Sequence, residues 1–106
     1  MVSLEDFKKF ELRVAEIESV APHPNADRLY VLGVKVGDVH KTIVAGIRKH
    51  YGEEELRGKK VIIINNLEPA VIRGVESQGM LLAASDEEML TLVTPERPIK
   101  DGAQVR

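Results

Sequence analysis

The sequence predicts an all-β domain, a small closed barrel of short strands, with one short helix at its start and a second between the third and fourth strands. Apolar and polar residues alternate along several short segments bounded by glycine, proline or asparagine, which is typical of half-buried strands. One alternation slips by a residue, as it does where a long strand bends at a bulge. A chain of 106 residues supports one such core and not two.

The N-terminal helix is predicted for residues 1–10. Ser3 stands at an N-cap position, acidic residues follow in the first turn, and Phe7 and Phe10 lie three residues apart on one apolar edge. Because both phenylalanines fall on this edge, we expect them to be used in packing the helix.

The barrel is predicted for residues 11–85. Its first strand is "LRVAEIESVA", and the alternation slips between "LRV" and "AEI", so this strand is expected to bend. The second strand is "RLYVLGVKVGD", and "KTIVAGI" returns beside it after a turn at Gly37-Asp38. The apolar residues predicted to share one face of the second strand are Tyr30, Leu32, Val34 and Val36.

The second half of the barrel begins with a helical turn in "GEEELRGKK", which has acids at its start and Gly58 placed to end it. The fourth strand, "KVIIINN", is apolar on both faces and is therefore central or covered. "GMLLAA" is a fifth strand and "MLTLVT" a short sixth. Residues 86–106 are predicted to form a C-terminal extension with a final edge strand. The order β-β-β-α-β-β matches the five-stranded Greek-key barrel of the oligonucleotide/oligosaccharide-binding (OB) fold better than a sandwich.

The charge distribution limits the choice of ligand. The net charge of −2 excludes a generally basic nucleic-acid binder, yet residues 28–60 carry eight Lys or Arg against four acids. This uneven distribution fits either a localised basic patch or charges spread over a solvated surface. Cysteine is absent, which excludes disulfides and thiolate chemistry, and no apolar run has the length of a membrane span. A cytoplasmic protein is the simplest expectation.

No catalytic residues are predicted. "GVESQG" is similar to a nucleophile elbow around Ser77, but its first glycine is one position too distant. His23, His40 and His50 fall in separate predicted loops without the spacing of a metal pair, and loop or surface positions are expected for them. No phosphate-binding or dinucleotide-binding motif is present. We therefore expect a binding domain with neither metal nor cofactor.

The segment "NNLEPAVIRGVESQGMLLAA", residues 65–84, is interpreted as a shaped loop that presents polar groups. Arg73 offers a planar fork for a phosphate or a base edge. Asn66 and Ser77 could bond a base or a 2′-hydroxyl, and Met80 offers an apolar surface for a base. Each also has an ordinary structural interpretation, in which these residues cap turns or fill the core.

Folded RNA is favoured over a single strand as the ligand. Single-strand binders of this fold stack bases on aromatic side chains, and this chain has only Phe7, Phe10, Tyr30 and Tyr51. A ligand recognised by shape and phosphate fits this composition better.

Five segments carry a resemblance to a known family: "FELRVAEI", "HPNADRLYVLGVKVG", "KTIVAGIRKHY", "LRGKKVIIINNLEPAVIRGVESQGMLLAA" and "LTLVTPERPIKDGAQVR". Together they resemble the tRNA-binding domain found at the C-terminus of methionyl-tRNA synthetases and in stand-alone tRNA-binding proteins. The resemblance implies an OB barrel that binds tRNA by shape near the outer corner of the L. It also implies a non-catalytic role, as a β subunit or C-terminal appendage of methionyl-tRNA synthetase.

The resemblance also implies site residues and an oligomeric state. The tRNA contacts it implies are Asn66, Arg73, Ser77 and Met80, with Arg48, Lys49, Lys59 and Lys60 as phosphate contacts. The ending is similar to that of homodimeric members, so residues 86–106 are expected to join two subunits. A second subunit would also help to explain why the fourth strand is apolar on both faces.

A protein-interaction or chaperone-type OB dimer is the alternative. Glu68 and Val71 stand where the family often carries basic residues, which weakens the attraction for phosphate at those positions. The basic run and "SQGM" favour tRNA.

Overall fold

The computed structural model describes residues 1–106 as ten strands and two short helices. The elements are α1 (Leu4–Phe7), β1 (Leu12–Pro22), β2 (Tyr30–Val36), β3 (Val39–Ala45), α2 (Glu53–Leu56), β4 (Lys60–Ile64), β5 (Ala70–Ile72), β6 (Val75–Ser77), β7 (Met80–Leu81), β8 (Ala83–Ser85), β9 (Leu90–Leu92) and β10 (Gln104–Val105). The all-β prediction is confirmed. Neither helix has the length and apolar character needed to cross a membrane.

One curled antiparallel sheet forms most of the fold. Its strands lie in the order β3-β2-β1-β4-β7, and β10 pairs with the start of β1. β1 pairs with β4 through residues 12–16 and with β2 through residues 16–22, so one bent strand serves both sides of the curl. The register shift lies between Ile17 and Ser19, so β1 has a bulge as expected, but three residues beyond the slip in the sequence pattern.

The slip in the sequence pattern has a different origin from this bulge. Val14 and Ala15 are adjacent and both buried, so β1 is covered on both faces at that point. Val14 lies opposite Ile62 of β4, which is also buried. The sequence analysis had invoked a second subunit to help explain the two apolar faces of β4. Because a single chain already buries Ile62, these faces do not require one.

The core lies inside the curl. The four apolar residues of β2 point inward and are buried, as predicted. Leu56 is the buried residue of α2 and belongs to the same cluster. The largest fully buried side chains packed there are Ile17, Leu32, Ile43, Leu56 and Ile63.

The barrel closes between β3 and the end of β6 with the segment that follows it. Here hydrogen bonds to side-chain oxygens replace some of the backbone hydrogen bonds of a regular strand pair. Thr42 N–H donates to Gln78 Oε1 at 2.9 Å, and Gln78 N–H donates to Thr42 O at 2.8 Å. Val44 N–H donates to Ser77 Oγ at 3.0 Å. The predicted fifth strand is divided, because β7 pairs with β4 whereas β8 pairs with β9.

The N-terminal helix is a single turn. Ser3 Oγ accepts from Asp6 N–H at 3.1 Å, which confirms the predicted N-cap. Phe7 and Phe10 are 41% and 49% exposed, and no residue of α1 is buried. The expected packing of the two phenylalanines was therefore wrong.

The C-terminal segment docks on the barrel of its own chain. Gly102 N–H donates to Val14 O at 2.7 Å, and Asp101 Oδ1 accepts from Gly37 N–H at 2.6 Å. Lys35 Nζ donates to Asp101 Oδ2 at 3.1 Å. Desolvation raises the pKa of Asp101, but the hydrogen bonds from Lys35 and Gly37 outweigh it and hold that pKa below its ordinary value. The segment thus continues the edge of β1 and includes the predicted last strand.

Candidate functional site

The glycine-rich segment between β4 and β7 contains a small hairpin, where the sequence predicted a loop. β5 and β6 pair with Ile72 opposite Val75, so Arg73 and Gly74 form a two-residue turn. Both have positive φ, 51° and 91°, as a type I′ turn requires. Glycine adopts this conformation freely, whereas an arginine there carries strain of about 1–2 kcal/mol. The turn thus holds Arg73 at the tip of the hairpin.

This tip is fixed against the loop between β1 and β2. His23 Nδ1 accepts from Asn25 N–H at 2.9 Å, so Nε2 carries the hydrogen and donates to Ile72 O at 3.0 Å. Asn25 Nδ2 donates to Arg73 O at 3.3 Å, and Arg73 Nη2 donates to Asn25 O at 3.1 Å. His23 is buried, not at the surface, and its ring joins the two segments.

An open pocket of about 420 Å³ lies between the loop and the hairpin tip. Leu29 N–H donates to Ala26 O at 3.3 Å and closes a turn whose two central residues are Asp27 and Arg28. OB barrels bind ligands with the loops that follow their first and fourth strands, which are the positions of this loop and hairpin. The residues lining the pocket are Asn25, Ala26, Asp27, Arg28, Leu29 and Arg73.

Four cations at this end of the barrel have no acidic partner. Arg28, Arg48, Lys49 and Arg73 make no ion pair in the structure. Arg48 N–H donates to Arg28 O at 3.4 Å, and the Arg48 guanidinium lies 6.0 Å from the centre of the Tyr30 ring. Cations that are not engaged in an ion pair are free to meet an anionic ligand.

Lys59 and Lys60 lie apart from this group, although the sequence predicted one set of phosphate contacts. Both line a separate hollow beside the C-terminal segment. Lys60 lies opposite Glu16 of β1. Tyr30, beneath Arg48, lies opposite Pro22, which is six residues further along β1. The two groups are thus separated by about 20 Å of extended strand.

Asn66 and Ser77, two predicted contacts, are bonded within the fold. Asn66 Oδ1 accepts from Glu11 N–H at 2.8 Å, and Nδ2 donates to Lys9 O at 2.8 Å. Ser77 is buried, and its Oγ donates to Gly79 O at 3.1 Å besides accepting from β3. Their polar atoms hold the backbone in place, so this arrangement makes them positioning residues and not direct ligand contacts.

Met80 remains available on the surface. It is 47% exposed on β7 and does not line the pocket. The glycine before it serves packing, because a Cβ on Gly79 would lie 3.1 Å from Ile64 O of β4. Of the four contacts predicted in this segment, Met80 and Arg73 are therefore exposed and available to a ligand. Asn66 and Ser77 are not, because their polar atoms are bonded within the fold.

The fold and the site together define a class of protein. An OB-type barrel whose two ligand loops surround a pocket with arginines that lack ion-pair partners is a binding module for an anionic or nucleic-acid ligand. No group of three His, Cys, Asp or Glu side chains in the chain is placed to hold a metal.

The chain belongs to the tRNA-binding domain family. Residues 12–104 match the family described as "Putative tRNA binding domain". The match covers every strand of the curled sheet except the last residue of β10.

The curated relatives include methionine–tRNA ligases. That of Thermococcus kodakarensis is 54% identical over 105 residues, which are 99% of this chain and 14% of the ligase. That of Deinococcus radiodurans is 47% identical over 107 residues, covering 100% of this chain and 16% of the ligase. The chain thus spans about one seventh of the length of the relatives it matches.

Solved structures with the same fold include chains of about the same length as this one. A MetRS-related protein from Pyrococcus horikoshii superposes with a TM-score of 0.93 at 34% identity, covering 100% of this chain and 98% of that chain. A CsaA chaperone protein from Picrophilus torridus superposes with a TM-score of 0.92 at 29% identity, with complete coverage of both.

Of the six residues that line the pocket, the sequence interpretation identified only Arg73 as a site residue. Asn25, Asp27 and Arg28 belong to "PHPNAD" and the residue after it, which the sequence identified only as loop. The sequence feature that could have identified them is the run of turn-forming residues followed by Arg28. It lies in the loop after the first strand, where OB barrels bind ligands.

Proposed function

We propose that this domain is a non-catalytic tRNA-binding module that recognises folded tRNA by its shape. It acts in the cytoplasm with methionyl-tRNA synthetase, as a β subunit or a C-terminal appendage. Family membership and the ligases among its relatives support this function. The observation that carries the proposal is the group of cations without ion-pair partners at the two ligand loops of the barrel.

The proposed contacts form two groups. Arg48 and Lys49 meet the phosphate backbone at one end of the barrel, where Arg28 and Arg73 contact the RNA from the two ligand loops. Lys59 and Lys60 provide a second point of phosphate contact about 20 Å away along β1. Two separated points suit a rigid, folded RNA better than a flexible strand, because only the folded RNA has a fixed phosphate spacing. Met80 supplies an exposed apolar surface on β7.

The site is assembled before the ligand arrives. The hydrogen bonds through His23 and Asn25 fix the hairpin tip to the loop, and Ser77 fixes β6 to β3. Ordering these segments therefore costs little on binding, which raises affinity for a given set of contacts. Glu68 and Val71 add no positive charge to the hairpin, so the affinity depends on Arg73 and on the cations of the barrel.

A homodimer through the C-terminal segment is part of the proposal. Met89, Val93 and Ile99 are 67%, 40% and 46% exposed, and they are the large apolar side chains that this segment offers to a second copy. Pairing would place two tRNA sites on one particle and raise the apparent affinity. A double change of Val93 and Ile99 to aspartate should lower the mass in light scattering to that of one chain. A truncation would be a poorer test, because Gly102 is bonded to β1.

The function is tested by removing one cation at a time and titrating with unfractionated tRNA over a series of salt concentrations. Arg48→Gln and Lys49→Gln should each weaken binding and reduce the slope of log K against log salt by about one. Lys8→Gln removes the same charge at the exposed residue that follows α1 and serves as the control. An equal loss of tRNA affinity in all three variants would contradict the placement of the binding site at Arg48 and Lys49. Salt-insensitive binding of unfolded polypeptide with no tRNA binding would favour the chaperone-type alternative.

A further inference from the structure

We propose that the pocket between the loop and the hairpin tip receives one unstacked guanine base of the RNA, held by the Asp27 carboxylate, and not a phosphate. The inference rests on the proposed function, because it names the part of a tRNA that enters this pocket. Its premises are the composition of the lining, the placement of Asp27 and the chemistry of the four bases.

The lining is mixed in a way that suits a base. Two apolar side chains, Ala26 and Leu29, stand beside the guanidinium of Arg73 and the carboxylate of Asp27. Its volume of about 420 Å³ falls in the range of about 300–1,000 Å³ that is typical of small-ligand sites. A site built for phosphate alone would gain nothing from a carboxylate, which repels it.

Asp27 is free to accept hydrogen bonds from a ligand. It stands at a central position of the turn closed by Leu29 N–H and Ala26 O, so its side chain projects from the loop. It makes no ion pair with Arg28 or Arg73, although all three line the pocket, and it accepts no hydrogen bond from the rest of the chain. Both carboxylate oxygens therefore remain available.

Guanine is the base that matches these acceptors. Its Watson–Crick edge carries two adjacent donors, N1–H and the N2 amino group, which meet the two oxygens of one carboxylate. Adenine and cytosine offer a single amino group on that edge, and uracil a single imino group. A splayed base is held in RNA complexes by such edge contacts and by stacking on arginine planes, which Arg28 and Arg73 supply at this pocket.

The test uses the sign of one isosteric change. Asp27→Asn removes a negative charge, so a phosphate in this pocket would bind more tightly to the variant. A guanine edge would bind less tightly, because the amide nitrogen replaces one of the two acceptors. We expect tRNA binding to weaken about 5- to 150-fold, the range for loss of a paired base contact. Asp38→Asn changes the same charge at an exposed turn outside the pocket and is the matched control.

A second measurement examines the base directly. Guanosine 5′-monophosphate added to the labelled protein should shift the amide signals of residues 25–29 and Arg73, and adenosine 5′-monophosphate and inorganic phosphate should not. Equal shifts with all three probes, or tRNA binding by Asp27→Asn that equals or exceeds that of the control variant, would overturn the guanine pocket. If Arg48→Gln still weakens tRNA binding in that case, the tRNA-binding function stands and only the pocket assignment falls.

Discussion

Replacement of Arg73 by asparagine should separate RNA binding from stability. The change creates an Asn-Gly turn, the preferred pair for a two-residue type I′ hairpin, and relieves part of the strain of about 1–2 kcal/mol at φ 51°. It also removes the 3.1 Å hydrogen bond from Nη2 to Asn25 O, worth about 0.5–1.5 kcal/mol. The bond from Asn25 Nδ2 is kept, because its acceptor is the backbone oxygen of residue 73. The opposing contributions leave the free energy of unfolding within about 1 kcal/mol of the parent value.

Binding should respond differently, because the guanidinium is lost from the pocket. Loss of a good bidentate contact costs about 1–3 kcal/mol, or roughly 5- to 150-fold in the dissociation constant for tRNA. Urea unfolding and a tRNA titration at moderate salt measure the two quantities on the same preparation. Arg57→Asn is the control, since Arg57 is already paired with Glu53 and Glu54. Unchanged tRNA affinity, or an equal loss in both variants, would refute the placement of Arg73 in the site.

Three further changes test the framework around the site. Ser77→Ala should lower the free energy of unfolding by about 1–3 kcal/mol, because a buried backbone donor loses its acceptor, and this is measured by urea denaturation. Gly79→Ala should destabilise by about 1–3 kcal/mol, because the new Cβ would lie 3.1 Å from Ile64 O; a lower thermal midpoint would report it. Because the pKa of Asp101 is lowered in the folded state by the hydrogen bond from Lys35, its ionised carboxylate stabilises the fold at pH values above the ordinary carboxyl pKa. This stabilisation is lost as the pH falls below about 4. Asp101→Asn should therefore be less stable than the parent at pH 7 and lose less stability on acidification, which parallel urea titrations at pH 7 and pH 3 would reveal.

Strand patterning predicted the barrel because the core is periodic. Every second residue of β2 is buried, and that alternation is visible in the sequence. The hairpin of β5 and β6 was not predicted, because each strand has only three residues and Val71 of β5 is 72% exposed. The sequence therefore shows no alternation of buried and exposed residues there. A short strand pair is identified by its turn, and Arg-Gly is a weaker turn signal than Asn-Gly.

The site was harder to predict than the fold, because sequence does not reveal which polar groups are already bonded. Asn66 and Ser77 have the chemistry of ligand contacts, yet both use it to complete backbone hydrogen bonds. The other side of the pocket, around Asp27 and Arg28, lies more than forty residues before Arg73 in the chain. Only the fold brings these segments together, so the local patterns could identify one side and not the pocket.

The most direct test of the proposed function compares two RNAs of equal length. The parent protein is titrated with unfractionated tRNA and with an unstructured single strand, each at low and at near-physiological salt. Binding to tRNA that is tight and falls steeply with salt, together with much weaker binding to the single strand at both salt concentrations, is the predicted result. Equal affinity for the two RNAs, or no binding to either at low salt, would contradict recognition of tRNA by its shape.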